Sequence, residues 1–395
     1  MTGRIGRRGL LILAAGSLTA ASAAPGRDVP AIMQPMPMPV RPPDRPGSVP
    51  VRPVAYWAGV YRQVWDFEYR DTLPQTRSAD SWDHYEASYV VDANTAMFRA
   101  TGERKYLDRA LEYVQNVVAA ARVSSSMRTS RFRDRYRGWV SMRPDLDRPG
   151  DEVPLYESYF WRYATALLVA LREAPAVAGQ RRYQDRFRVL RDFAEVDVFE
   201  KWYSRGPLEN IYRERTHMAA HWALIARNLS LVTEDAGRRA RYLEVADNID
   251  LHLPDVRAGL RSQLRRNPVE PTAYFWSDVW GSARRPGQDV SHGNAVMAYV
   301  VEACDRGRNW TTADMAAFGA LLTEVIWPGG TTYREFVDGT GSDNGWFSDG
   351  FVKLGRFDAA VQRRLDGHRV VNGQFAANMA LNAQVLATGR RETGG

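Results

Sequence analysis

The pattern that most narrows the folds open to this chain is a helical hairpin that recurs along residues 54–390. Apolar residues return every three or four positions, the period of a helix with one buried face. Ser88 to Phe98 reads as one helix, Thr101-Gly102-Glu103 as the turn, and Lys105 to Ala121 as the returning helix. The pattern repeats at Tyr156 to Leu171 with Arg182 to Ala194, Thr216 to Val232 with Arg238 to Leu251, and Ser291 to Cys304 with Thr312 to Ile326. Gly373 to Leu386 and Tyr56 to Tyr69 supply two further helices. The intervals are too irregular for a short-period solenoid.

Stacked without gaps, the opening helices place Glu86, Glu157, His217, His292 and Gln374 at one equivalent position. Small residues such as Ala87, Ala219, Gly293 and Ala376 follow and suit close helix approach. The expectation is an all-α fold: an (α/α) toroid, or incomplete barrel, of five, six or seven hairpins with short strands only in loops. Tyr136 to Met142 and Thr332 to Val337 are the expected strands. One polar slot per hairpin then lines a common cleft.

Residues 1–23 read as a signal peptide. Arg4, Arg7 and Arg8 precede an apolar run, and Ala21-Ser22-Ala23 fits the small-residue cleavage rule. The run falls short of the roughly 20 residues that span a bilayer. Arg7-Arg8 also fits a twin-arginine leader, so the mature chain is expected in the periplasm or outside the cell, with no membrane association after cleavage. Residues 24–53 form a Pro-rich linker expected to be disordered, and residues 54–390 the catalytic domain. The formal charge of +7 falls by three with the leader; the basic residues alternate with acids, which points away from nucleic acid and toward a mildly acidic partner.

His292 is the strongest candidate for chemistry. It follows a loop and an N-cap candidate, Asp289 or Ser291, so it occupies the first helical turn, where the helix dipole favours neutral imidazole. Asn294 lies beside it as a hydrogen-bond donor. His217 and His221 share a helix face, but Met218 stands where a zinc protease needs Glu, so no metal is expected. The loop Asp338 to Gly345 departs from the calcium-loop pattern and reads as a turn. Asp83, Glu86 and Glu157 place carboxylates in the same slots. Trp82, Tyr274, Trp276 and Trp280 are candidate sugar platforms, and Gln374 completes the slots. Phosphate-loop, nucleophile-elbow and dinucleotide motifs are absent from the sequence.

Through Trp82-Asp83-His84-Tyr85-Glu86, Arg215-Thr216-His217, Asp289 to Asn294 and Asn344-Gly345-Trp346, the body resembles bacterial polysaccharide lyases of the (α/α) toroid type that act on alginate or glucuronan. The Asn-Asn-His-Ser-Tyr-Trp string of one alginate-lyase family is absent, which leaves the substrate open. The resemblance implies β-elimination on a uronic-acid polymer without a cofactor. His292 or His217 would be the base, Asn294, Arg215 or a protonated Glu157 would neutralise the sugar carboxylate, and Tyr85, Tyr156, Tyr274 or Tyr299 would be the acid. Two alternatives stand beside it. An inverting glycoside hydrolase would draw its carboxylate pair from Asp83, Glu86, Glu157 and Asp289. A non-catalytic glycan-binding envelope protein would leave the slots unconverged.

Overall fold

A computed structural model of the chain describes residues 50–389. The signal peptide and nearly all of the linker expected from the sequence lie outside the described residues. The rest is mostly helical. Its principal helices are α1 (Val54–Thr76), α2 (Ser81–Thr101), α3 (Arg104–Ala120), α4 (Pro154–Arg172), α5 (Arg181–Phe193), α6 (Thr216–Val232), α7 (Ala236–Asp250), α8 (Val290–Asp305), α9 (Thr312–Ala320), α10 (Ala359–Asp366) and α11 (Gly373–Thr388). Wide π-type coils, Ala194–Glu200 and Leu321–Ile326, prolong α5 and α9, and a 3-10 helix covers Phe351–Arg356.

The hairpins form where the periodicity places them. Gly102 closes α2 in the left-handed conformation at φ 72°, which glycine adopts without a Cβ penalty. The two members of a hairpin differ in burial. Ala87 to Phe98 of α2 is buried without a break, whereas α3 buries one stripe that includes Tyr106, Leu107, Leu111 and Val114. A helix buried on all sides belongs inside, and a striped one belongs at the surface. The buried helices neighbour one another in sequence: α2 packs on α4, α4 on α6, α6 on α8, α8 on the 3-10 helix, that helix on α11, and α11 on α2. The succession returns to its start. Helices α3, α5 and α7 back α2, α4 and α6, and α1 lies along α11 and α2.

Among the described residues, strand structure is limited to two short antiparallel pairs, Arg122–Val123 with Arg137–Gly138 and Arg265–Arg266 with Tyr274–Phe275. The first overlaps the expected strand at Tyr136 to Met142. Thr332 to Val337 makes only isolated bridges, because Tyr333 pairs with Asp343 and Phe336 with Asp289 rather than with one continuous partner.

One buried acid conflicts with its surroundings. Glu68 of α1 faces the start of α11, where a Cβ on Gly373 would come within 2.1 Å of its carboxylate. Its Oε2 has no partner, and burial raises its pKa to about 8 against a lowering by the Gly373 amide. A carboxyl whose folded pKa exceeds its unfolded value resists ionisation in the fold. Stability therefore falls as pH rises from the ordinary glutamate range through about 8. Glu68→Gln is expected to flatten that slope and to stabilise the protein at pH 8 by a few kcal/mol on the order of the shift. Parallel unfolding curves for the two proteins between pH 5 and pH 8 would refute this.

Candidate active site

The opening turns of α6 and α8 are pinned to each other. The Thr216 hydroxyl donates to Gln288 Oε1 at 3.0 Å, and Gln288 Nε2 donates to Asp289 Oδ2 at 3.0 Å. Asp289 is the N-cap of α8, and its carboxylate accepts the His292 amide at 3.0 Å. The same carboxylate meets His292 Nδ1 at 2.8 Å. A carboxylate accepts only, so Nδ1 carries the proton and Nε2 is the nitrogen able to take one. The His292 ring lies 4.4 Å, centroid to centroid, from that of His217 in the first turn of α6.

One turn further along α6, the His221 ring sits 4.8 Å from Tyr159 of α4. Tyr85 of α2 stacks on Tyr159 at 3.6 Å and 23°, and the Tyr89 and Tyr159 hydroxyls share a 2.6 Å hydrogen bond. Two histidines of α6, one of α8 and three tyrosines of α2 and α4 thus form a continuous wall across the inner helices.

The charges of this wall are divided. Burial lowers His217 and His221 well below the ordinary imidazole range, and neighbouring positive charge adds to the effect, so both rings are neutral. Each has a buried Nδ1 without a hydrogen-bond partner. Burial would raise Asp289, but His292 outweighs it and the carboxyl stays far below its usual range. Burial pushes Tyr85 up to about 12 and raises Tyr159 well above the ordinary phenol value, so both phenols keep their protons at neutral pH. Around the wall stand two arginines with different commitments. Arg215 pairs with Asp278, while the half-buried Arg213 has no ion pair among the described residues. The Arg213 charge is felt by both His217 and His221.

Beneath the tyrosines the interior is filled by ion pairs. Arg162 donates to Asp349 at 2.8 Å with both side chains buried, and Tyr163 and Gln374 also donate to Asp349. Gln374 Nε2 reaches Asp92 at 2.9 Å, and Asp92 accepts from Lys353 at 2.8 Å and Asn378 at 3.0 Å. Together these contacts form one connected column of buried charge.

Several residues expected at the site do other work. The Glu157 carboxylate is committed to Lys201 at 2.7 Å and to Trp202 Nε1 at 2.9 Å. Burial holds it above its ordinary value despite Lys201, but it sits in a structural cluster with Glu152 and Arg205. Asn294 is a staple: it donates to the Trp346 carbonyl at 2.7 Å and accepts from Gly350 and Phe351, so its amide is used up in holding the 346–351 segment. The segment approaches so closely that a Cβ on Gly350 would lie 2.0 Å from the Asn294 carbonyl oxygen. Tyr274 donates to Asp314, and Trp276 is fully buried against Phe318. Trp280 is also buried and donates to the Arg213 carbonyl at 2.6 Å, which anchors the backbone of that arginine. Trp82 is already stacked, on Tyr85 at 4.7 Å, with the Arg143 guanidinium 3.9 Å from its ring centre. Asp83 and Glu86 are half-buried in the first turns of α2 with interactions of their own. Gln374 serves the ion-pair column. Tyr156 meets Trp82 edge-on, and Tyr299 is fully buried near Asp250. His84, lowered by burial to about 4, packs on Trp139 and meets the Ser78 carbonyl.

The residues that sequence reasoning missed are Tyr159, Tyr89, Arg213, Arg162 and Asp349. Tyr159 lay within view, two positions beyond Glu157. Two positions turn a helical side chain by about 200°, so reading the slot at Glu157 selected the opposite face of α4. Among the described residues no group of three or more His, Cys, Asp or Glu side chains is arranged to hold a metal ion. Comparison with protein-family models, with curated proteins and with solved structures finds no match.

Proposed function

We propose that this protein is a polysaccharide lyase that cleaves a uronic-acid-containing polymer by β-elimination, on an (α/α) toroid exported from the cytoplasm by its N-terminal leader. The returning succession of inner helices backed by outer ones supports the toroid. The observation that carries the chemistry is the meeting of the Asp289–His292 pair with His217, His221 and the Tyr85–Tyr159 stack.

β-Elimination needs a base for the C5 proton, an acid for the leaving O4, and a positive or hydrogen-bonding group at the C6 carboxylate. His292 is the base, oriented through Nδ1 by Asp289 so that Nε2 accepts the proton. The C5–H pair becomes the C4–C5 double bond as the C4–O4 bond breaks. A phenol of the Tyr85–Tyr159 pair donates the proton that O4 takes, and both phenols are protonated at neutral pH as that role requires. Arg213, anchored through Trp280 and lacking an internal acid, faces the sugar carboxylate with Arg215 beside it. Placing fixed positive charge where the enolate develops supplies rate without reorganisation. Neutral His217 completes the wall next to His292. No cofactor enters the scheme.

The hydrolase reading is weaker on the same geometry. Glu157 is tied to the Lys201 ammonium and Asp289 accepts from His292 Nδ1, so neither is poised as the acid of an inverting pair. Incubation with glucuronan, alginate and hyaluronan is expected to produce ultraviolet absorbance from an unsaturated uronate end with at least one of them. New reducing ends without that absorbance would establish hydrolysis instead, and neither signal with any acidic polymer would remove the catalytic reading.

A further inference from the structure

A surface cavity lies apart from the histidine wall and shares no residue with it. It is a groove of about 500 Å³ lined by Arg135, Tyr136, Val196, Asp197, Glu200, Arg238 and Arg241. That volume lies in the range of small-molecule and sugar sites. One wall is the π-type coil Ala194–Glu200, whose wider turn departs from the straight line of α5; such coils recur at functional positions.

The charge arrangement is directional. Arg238 pairs with Glu195 at 2.5 Å, and the guanidinium side chain is 37% exposed against 4% for the acid. Arg137 pairs with Asp197 at 2.7 Å, with exposures of 46% and 9%. In both pairs the acid lies behind and the guanidinium faces solvent. Arg241, 42% exposed, pairs with Glu200 at 2.8 Å. Arg135 is exposed and has no ion pair among the described residues, so the lining carries one uncompensated positive charge. Tyr136 adds a half-buried aromatic ring whose hydroxyl meets Ser204.

We propose that this groove is a second, non-catalytic saccharide site that holds a uronate unit of an acidic polymer, with Arg135 on the carboxylate and the outward guanidinium edges on ring hydroxyls. The ligand class rests on the lyase reading, whereas the groove itself does not. One unmatched cation suits one carboxylate per sugar. The flanking arginines, held rigid by buried acids, present hydrogen-bond donors at little entropic cost. A long polymer engaged here and at the histidine wall is bound by both sites at once, which raises its apparent affinity without altering the chemistry.

The test is affinity electrophoresis of the full chain through gels containing glucuronan, alginate or hyaluronan, with dextran as the neutral control. Arg135→Glu is expected to weaken retention by the acidic polymer about tenfold, the effect of losing one charge-assisted pair. Arg135→Gln is expected to give a smaller loss. Both variants should turn over oligosaccharides too short to reach the groove at the wild-type rate. Because Arg135 is exposed and unpaired, neither change strains the fold, and circular dichroism checks this. Unchanged retention of Arg135→Glu overturns the proposal, as does equal retention of wild type by dextran. Weakened retention of Arg135→Glu in a protein that forms no unsaturated product would support the groove while removing the catalytic reading.

Discussion

Replacing His292 with alanine is expected to lower kcat/KM on the preferred polymer by about 10²- to 10⁴-fold, the range contributed by a positioned general base. The helical circular dichroism should not change. The His292 side chain is 28% exposed, and the helix start is held by the Asp289 carboxylate on the His292 backbone amide, which alanine retains. The partner variant separates orientation from capping. Asp289→Ser keeps an N-cap oxygen, so the helix start should lose well under about 1 kcal/mol. It removes the carboxylate from Nδ1, freeing the ring to change tautomer and to rotate. Activity should then fall while the unfolding midpoint stays near wild type. His217→Ala leaves the Asp289–His292 pair intact and should cost less than His292→Ala. Wild-type activity in His292→Ala would exclude it as base. A larger loss in His217→Ala than in His292→Ala would transfer the role to His217.

The sequence reveals local structure here far better than it reveals long-range partners. The hairpins were legible because period, turn and cap agree: Gly102 ends α2 where the apolar pattern breaks, and Asp289 caps α8 where the loop ends. His217 and His292 were legible as a pair because each lies at the start of an inner helix, and equivalent helix starts converge on one face. Glu157 misled because acids favour helix starts for their own sake, and its partner Lys201 lies 44 residues away, beyond the returning helix of the same hairpin. Asn294 read as a donor for substrate because the sequence holds no sign that Gly350, 56 residues on, would press against it. The tryptophans looked like sugar platforms from their loop positions, yet Trp276 and Trp280 are buried and Trp82 is stacked between neighbours; aromatic area is most often used to build a core. The interior charges were the least legible. Asp92 meets Lys353 across 261 residues, and nothing near either announces the other.

That interior column gives the largest expected effect on stability. Arg162 and Asp349 are bonded across 187 residues and tie α4 to the segment that leads into the 3-10 helix. Both are buried, at 0% and 2% side-chain exposure. Asp349 also accepts from Tyr163 and Gln374, so the carboxylate is the better satisfied member, whereas Arg162 keeps one buried amino group without a partner. Burial alone would raise the Asp349 carboxyl; Arg162 outweighs it and holds the value below the usual range. A depressed carboxyl stabilises the fold above its unfolded pKa and loses that contribution as pH falls through its folded pKa. Arg162→Met leaves a buried carboxylate without its cation and should cost about 3–5 kcal/mol at neutral pH, seen as a fall in the denaturant midpoint. The deficit relative to wild type should shrink in acid, where Asp349 takes up a proton in either protein. Asp349→Asn keeps an acceptor for Tyr163 and Gln374 but strands the guanidinium, as a protonated Asp349 does in wild type, so its deficit should also shrink in acid. A deficit that shrinks in acid in both variants marks a charge effect rather than a packing effect. A pH-independent loss in Arg162→Met beside little loss in Asp349→Asn would mean that Arg162 stabilises the fold through its packing on Tyr159 and Tyr163, over whose rings its guanidinium lies at 3.9 and 4.3 Å, rather than through its charge.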